Sequence, residues 1–184
     1  REPGRLRVAF SYDPGLGRSL HAENRRALEA TTAVLERLGH EVVEVHLPLP
    51  VEAFIDGFVA LTAADVSATL RRAAATVGRE ASSDDVELAT WVLAKLGDAL
   101  SAADAVAACD DMQLFSRHWL GWASSFDVVL TPTVGVPPLP IGAHALSALQ
   151  RQAVKLLAAL PAGAFLSQRA KLIEAFARVF EAAP

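Results

Sequence analysis

Few residues in this chain have the type and spacing that chemistry demands. Its five histidines, His21, His40, His46, His118 and His144, are scattered. No two stand four apart, the spacing that sets two imidazoles on one helix face, so no metal site is expected. Asp84-Asp85 and Asp110-Asp111 are adjacent carboxylates, but neighbours on a helix point in different directions. They read as solvated faces rather than as an acid–base pair. The single cysteine, Cys109, excludes an internal disulfide and any multi-cysteine zinc site. It is expected as a small buried residue on a helix. Trp91, Trp119 and Trp122 fall on expected helices. Trp119 and Trp122, three apart, share a face, either as packing or as the lining of an apolar substrate channel.

Two loops hold better candidates. Gly15-Leu16-Gly17 follows one expected strand and precedes a helix, and Glu41 and Glu44 lie at a plausible distance for a ribose contact. The pattern is incomplete for a nucleotide site, because Leu20 stands where a third glycine belongs and Pro14 lengthens the loop. A turn that lets the chain enter the helix is the plainer reading. The second loop is Thr131-Pro132-Thr133, directly after the apolar run Val128-Val129-Leu130. Loops at the carboxyl ends of parallel strands are where α/β proteins place ligands. Thr131 and Thr133 carry hydroxyls that could bind a substrate or cap the loop backbone, and Pro132 fixes φ and ends the strand.

The elements that would position these loops follow from periodicity and punctuation. Residues 6–10 read as a strand, residues 22–38 as a helix with Leu28, Val34, Leu35 and Leu38 on its apolar stripe, and residues 42–45 as a second strand. Gly39 is placed for a left-handed cap. Strand, helix, strand in under 50 residues is a βαβ unit with parallel strands. Residues 51–125 read as helical almost throughout, in segments 51–77, 83–97 and 101–124 broken near Gly78, Ser82-Ser83 and Gly97. Ser82 and Asp85 have capping-box spacing. Residues 128–130 form a third strand, and residues 146–160 and 165–180 two further helices split by Pro161-Ala162-Gly163. Three short apolar strands cannot cover so many helices, so they are expected to be part of a larger sheet buried on both faces.

Composition narrows the class. The chain has 184 residues, 52% of them hydrophobic, and a net charge of −4. That is enough for a packed core, and it argues against nucleic-acid binding, which needs a basic surface. No unbroken apolar run approaches the ~20 residues of a membrane span. The opening Arg1-Glu2-Pro3-Gly4-Arg5 leads straight into the first expected strand, so no signal peptide is expected there. A cytoplasmic protein without membrane contact is expected.

The order of these pieces carries a resemblance. Leu6-Arg7-Val8-Ala9-Phe10, then Leu38-Gly39-His40-Glu41-Val42, then Asp127-Val128-Val129-Leu130-Thr131-Pro132-Thr133 and Pro138-Leu139-Pro140-Ile141-Gly142, resembles the C-terminal half of an amidase signature enzyme. The resemblance implies an α/β fold in which a few mostly parallel strands form part of a larger mixed sheet covered by many helices. The expected layout is a single partial domain over residues 1–184: a βαβ unit (1–50), a helical cover (51–125), a strand with its Pro-rich loop (126–142) and terminal helices (143–184).

The same resemblance implies hydrolysis of a carboxamide through a serine acyl-enzyme, using a Ser–cis-Ser–Lys triad and backbone N–H groups as oxyanion donors. No residue here matches that triad. Ser82-Ser83 and Ser124-Ser125 lack the flanking glycines, and Lys95, Lys155 and Lys171 sit on expected helix faces. No catalytic residue is therefore assigned, and the isolated chain is expected to be inactive. Thr131, Pro132 and Thr133 are the expected substrate-binding residues. No metal or organic cofactor is implied. The expected partners are a small amide substrate, the remaining part of the amidase fold and, for the parent protein, a second copy of itself. The rival reading is a non-catalytic helical interaction domain with a small parallel sheet.

Overall fold

The computed structural model describes residues 3–13, 19–48, 50–138, 140–142, 147, 151–152 and 154–156. In chain order it contains β1 (Arg7–Phe10), α1 (Ala22–Arg37), β2 (Glu41–Glu44), α2 (Val51–Val77), α3 (Leu88–Ala99), α4 (Ala102–Ala123) and β3 (Val128–Leu130). The fold is α/β, helix-rich, with one small parallel sheet. The chain divides into two compact units, Arg1–Phe54 with Gln113–Pro140, and Ile55–Met112 with Ile141–Pro184.

The first unit is built on the sheet, whose strand order is β2-β1-β3. Both pairings are parallel, as the βαβ reading expects. Val8 lies level with Val42 and Val128, and Ala9 with Val43 and Val129. Successive strand residues face opposite sides, and Val8 and Ala9 are 2% and 0% exposed. The middle of the central strand is thus covered on both faces, which is why Val8-Ala9-Phe10 reads as an apolar run after the exposed Arg7.

α1 begins at His21, whose Nδ1 accepts the Glu23 N–H at 3.2 Å. It ends in a glycine cap: Gly39 takes φ +89°, its N–H reaches the Glu36 carbonyl at 2.9 Å, and the His40 N–H reaches Leu35 at 3.1 Å. These two bonds satisfy carbonyls that a helix end otherwise leaves open. His40 then serves the sheet, its Nδ1 accepting the Leu6 N–H at 3.2 Å. The buried residues of α1 are Leu28 and Thr32, whereas Val34 and Leu38 of the expected stripe are exposed. The Thr32 hydroxyl is accommodated inside because it donates to the Glu29 carbonyl at 2.9 Å.

The second unit is a helical assembly held by close backbone approach. Ala63 of α2 packs with Val92 and Leu96 of α3, flanked by Val59, Trp91, Leu93, Leu100 and Val154. Gly97 lies within α3 instead of ending it. A β-carbon there would overlap the Ala63 backbone and come 2.9 Å from the Ser67 β-carbon. The glycine is thus a contact residue, and the break falls at Leu100. Among the described side chains of α2 the buried residues are Gly57, Ala60, Ala63 and Ser67, spaced three or four apart as one helix face requires.

Other expectations shift for local reasons. Ser82 and Asp85 do bond as a box, but they close a turn, and α3 starts only at Leu88. The capping box that opens a helix is Ser101 with Asp104, at 2.7–3.1 Å, ahead of α4. Cys109 is exposed, not buried, because its neighbour Ala108 takes the inward position on α4. Ala53–Val77 is long and apolar enough by composition to cross a membrane, with mean hydropathy 1.4. Asp56 and Asp65 interrupt it, so no unbroken run is visible in the sequence. Residues 151–152 and 154–156 are helical. Ser147, also described, is not helical, though its carbonyl accepts the Arg151 N–H at 2.9 Å. The other residues of the expected helix 146–160, all of helix 165–180, and Lys171 lie outside the described residues.

Candidate functional site

The strand order makes one crevice special. The chain leaves β1 on one side to form β2 and returns on the other side as β3, so neighbour order reverses between β1 and β3. The crevice outside the carboxyl ends of strands at such a reversal is where open α/β sheets bind ligands. Thr131, Pro132 and Thr133 follow β3 directly at that edge. Both threonines are exposed and Pro132 is half-buried.

On the β1 side the edge is formed by Ser11, Tyr12 and Asp13. Ser11 is 1% exposed. Its N–H donates to the Leu130 carbonyl at 3.2 Å, which extends the β1–β3 pairing past the strand end. Its Oγ accepts the Asp13 N–H at 3.1 Å and so turns the chain out of the sheet. The Tyr12 ring stands edge-on to Phe10 at 5.4 Å, and the Arg25 guanidinium lies 4.2 Å from its centroid. An aromatic ring with a cation over its face forms one side of the edge.

The Pro-rich loop is tied to the start of α1. His21 N–H donates to the Gly135 carbonyl at 2.9 Å, and Asn24 Nδ2 donates to the Val134 carbonyl at 2.7 Å. Two carbonyls of a segment without regular structure thus gain donors from the first turn of a helix. The loop after β3 is fixed at its far end by α1 and at its near end by Leu130, with the Thr131–Thr133 stretch between the anchors. Sequence reasoning missed Ser11, His21 and Asn24. Their partners are more than a hundred residues away in sequence, so no local pattern marks them.

The remaining candidates are placed elsewhere or otherwise engaged. Ser82 Oγ donates to Asp85 at 2.7 Å, and Ser124 Oγ donates to the Gly121 carbonyl at 2.7 Å at the end of α4. Lys155 pairs with Asp84 at 3.0 Å. Lys95 is not merely solvated: its ammonium lies 4.6 Å from the Trp91 ring centroid and 3.7 Å from Asp98. Trp119 and Trp122 do share a face, with ring centroids 4.9 Å apart, and Phe126 joins them at 5.5 Å. Glu41 is held by Arg7 at the amino end of the sheet, and Gly15-Leu16-Gly17 lies outside the described residues. Among the described residues no group of three or more His, Cys, Asp or Glu could hold a metal ion.

Comparison with known proteins supplies the wider frame. The chain is 26% identical over 137 residues to the 6-aminohexanoate-cyclic-dimer hydrolase of Pseudomonas sp. (strain NK87), covering 72% of this chain and 27% of that protein. It is 25% identical over 126 residues to a lipoamidase of Enterococcus faecalis, covering 68% of this chain and 17% of the relative. The solved structure of a 6-aminohexanoate cyclic dimer hydrolase superposes with a TM-score of 0.71 at 25% identity, over 80% of this chain and 31% of that one. The chain therefore spans only a fraction of the length of the relatives it matches. The sequence pattern of the family described as Amidase matches residues 1–174, and the chain belongs to that family.

Proposed function

We propose that this chain is part of an amidase that hydrolyses a small carboxamide to a carboxylate and an amine or ammonia through a serine acyl-enzyme. The observation that carries the reading is the family match over residues 1–174, against relatives of which the chain covers 27% and 17%. In this reading the nucleophilic serine, the bridging serine and the lysine lie outside these 184 residues. Residues 1–184 form one partial domain of the whole enzyme. They supply scaffold and one wall of the substrate pocket, with Thr131, Pro132 and Thr133 facing the substrate. The strand-end position of that loop supports the assignment. The Ala- and Trp-bearing helices favour a fairly apolar or linear amide. The parent enzyme is cytoplasmic and needs no cofactor.

The sheet supports the partial-domain reading. β3 is an edge strand of the described sheet, with Val128 45% exposed, and the outward N–H and C=O groups of an edge strand are a ready template for another strand. Further strands of the parent protein would continue the sheet there.

The test has two arms. The complete gene product should hydrolyse a simple aryl amide with a burst that marks acyl-enzyme accumulation, and residues 1–184 alone should show no turnover. Turnover by residues 1–184 would overturn the reading. So would a flanking reading frame without a Gly/Ser-rich Ser-Ser segment and a lysine. Size-exclusion and dye binding on residues 1–184 separate this reading from a free-standing interaction domain, which would be a stable monomer without exposed apolar surface.

A further inference from the structure

The helical unit contains a cleft of about 450 Å³ between α2, α3 and the turn that joins them. Its polar wall is Arg71, Lys95, Asp98 and Glu80, and its apolar wall is Leu70, Ala81, Trp91 and Ala94. Ser67 lies in the same lining, 6% exposed, with its hydroxyl on Asp98 Oδ1 at 2.6 Å.

The charges are arranged around one carboxylate. Arg71 NH2 donates to Asp98 Oδ1 at 2.8 Å, while Lys95 Nζ stands 3.7 Å from Oδ2, beyond hydrogen-bond length. A guanidinium has five donors and an ammonium three, so Asp98 leaves most of them for other acceptors. The Arg71 side chain is 70% exposed. Asp98 itself is held below the ordinary carboxylate range by Ser67, Arg71 and Lys95, which outweigh its burial. It therefore stays charged as a fixed support for the two cations. Glu80 adds a second negative charge to the lining, which weighs against a doubly charged guest.

We propose that this cleft binds a small monocarboxylate with an apolar body, its carboxylate between Arg71 and Lys95 and its body against Trp91 and Leu70. An arginine fork and an ammonium match the two oxygens of a carboxylate, and an indole beside a leucine matches a flat or aliphatic body. The site does not depend on the amidase reading, because its residues lie within one unit and take no part in the proposed pocket wall.

Benzoate is the probe, titrated into the complete gene product and followed by the indole N–H signal of Trp91 in NMR, assigned with Trp91→Phe. The expected result is a saturable shift. Arg71→Gln and Lys95→Gln should each weaken binding about tenfold, and Lys155→Gln, outside the cleft, should leave it unchanged. Far-UV circular dichroism checks that each variant is folded. Benzamide, the neutral analogue, and inorganic phosphate should both bind at least about tenfold more weakly than benzoate. The proposal is overturned by the absence of a saturable shift, by wild-type binding in both cleft variants, or by benzamide or phosphate binding as well as benzoate.

Discussion

Arg7 and Asp127, 120 positions apart in sequence, exchange hydrogen bonds in both directions. The Arg7 N–H donates to Asp127 Oδ2 at 2.7 Å, and the Asp127 N–H donates to the Arg7 carbonyl at 2.9 Å. The Arg7 side chain adds bonds to Glu41 at 3.3 Å and to the Ser125 carbonyl at 2.9 Å, and lies 4.9 Å from the Phe126 ring centroid. One residue pair thus fixes the amino ends of all three strands. Parallel strands gain nothing from a tight turn, so their register needs such a clamp. Asp127 opens the Asp-Val-Val-Leu-Thr-Pro-Thr segment, and its role there is to set where β3 begins and hence where the Thr131–Thr133 loop emerges.

Asp127→Ala removes the acceptor of the Arg7 N–H at an exposed site, where water can partly replace it. The expected cost is about 1 kcal/mol, read as a lower urea midpoint at unchanged slope. Asp127→Asn keeps a carbonyl acceptor and should cost less. Equal stability of Asp127→Ala and wild type would show that the clamp is not needed for register.

Gly97 and Gly57 separate two kinds of helix glycine. A methyl group at Gly97 meets the Ala63 backbone, which cannot give way, while one at Gly57 meets the Met112 side chain at 3.2 Å. Overpacking against backbone costs about 1–3 kcal/mol or more, and alanine gains roughly 1 kcal/mol in helix propensity. Gly97→Ala should therefore lower the urea midpoint clearly. Gly57→Ala should come out near neutral, since methionine adapts. The reverse order would place the tight contact elsewhere.

These particulars show what the sequence could reveal. Elements with strong local periodicity or local punctuation were legible: β1, α1 with its Gly39 cap, and the Val128–Leu130 strand. The family segments gave the architecture and the family. Gly97 was misread as a breaker, since a glycine that lets two backbones meet looks the same in sequence as one that ends a helix. Cys109 was misplaced because two adjacent small residues on a helix differ only in which one faces inward. The anchors of the loop at the sheet edge, Ser11, His21 and Asn24, depend on pairings across the whole chain and leave no local trace. The Arg71–Asp98–Lys95 cluster was invisible for the same reason, 27 positions separating Arg71 from Asp98.

Asp85 sets a pH dependence of known sign. Both Arg79 nitrogens bond its oxygens, at 2.6 and 2.8 Å, and Ser82 donates twice more. The Arg79 guanidinium, then the Ser82 donors, hold its carboxyl far below the ordinary value of 3.8. A depressed folded value means stability present above the unfolded value and lost as pH falls toward the folded one. The thermal midpoint of wild type should therefore exceed that of Asp85→Asn at pH 7. The gap should narrow as pH drops below about 4. A gap independent of pH between 7 and 2.5 would show that the turn contributes no charge-linked stability.

The loop at the sheet edge can be tested through kinetics of the complete enzyme. In the proposed reading Thr131 and Thr133 touch substrate but not the reacting atoms, so removing a hydroxyl should weaken ground-state and transition-state binding alike. Loss of one neutral hydrogen bond is about 0.5–1.5 kcal/mol, which converts to a rise in KM of about twofold to tenfold. Thr131→Ala and Thr133→Ala should each show that rise with kcat within about twofold of wild type. Thr→Ser, which keeps the hydroxyl, should restore most of the affinity, and a loop that merely supports the fold would not distinguish serine from alanine this way. A fall in kcat with unchanged KM would instead place these residues against the developing charge of the transition state. Wild-type values for both alanine variants would remove the loop from the substrate wall.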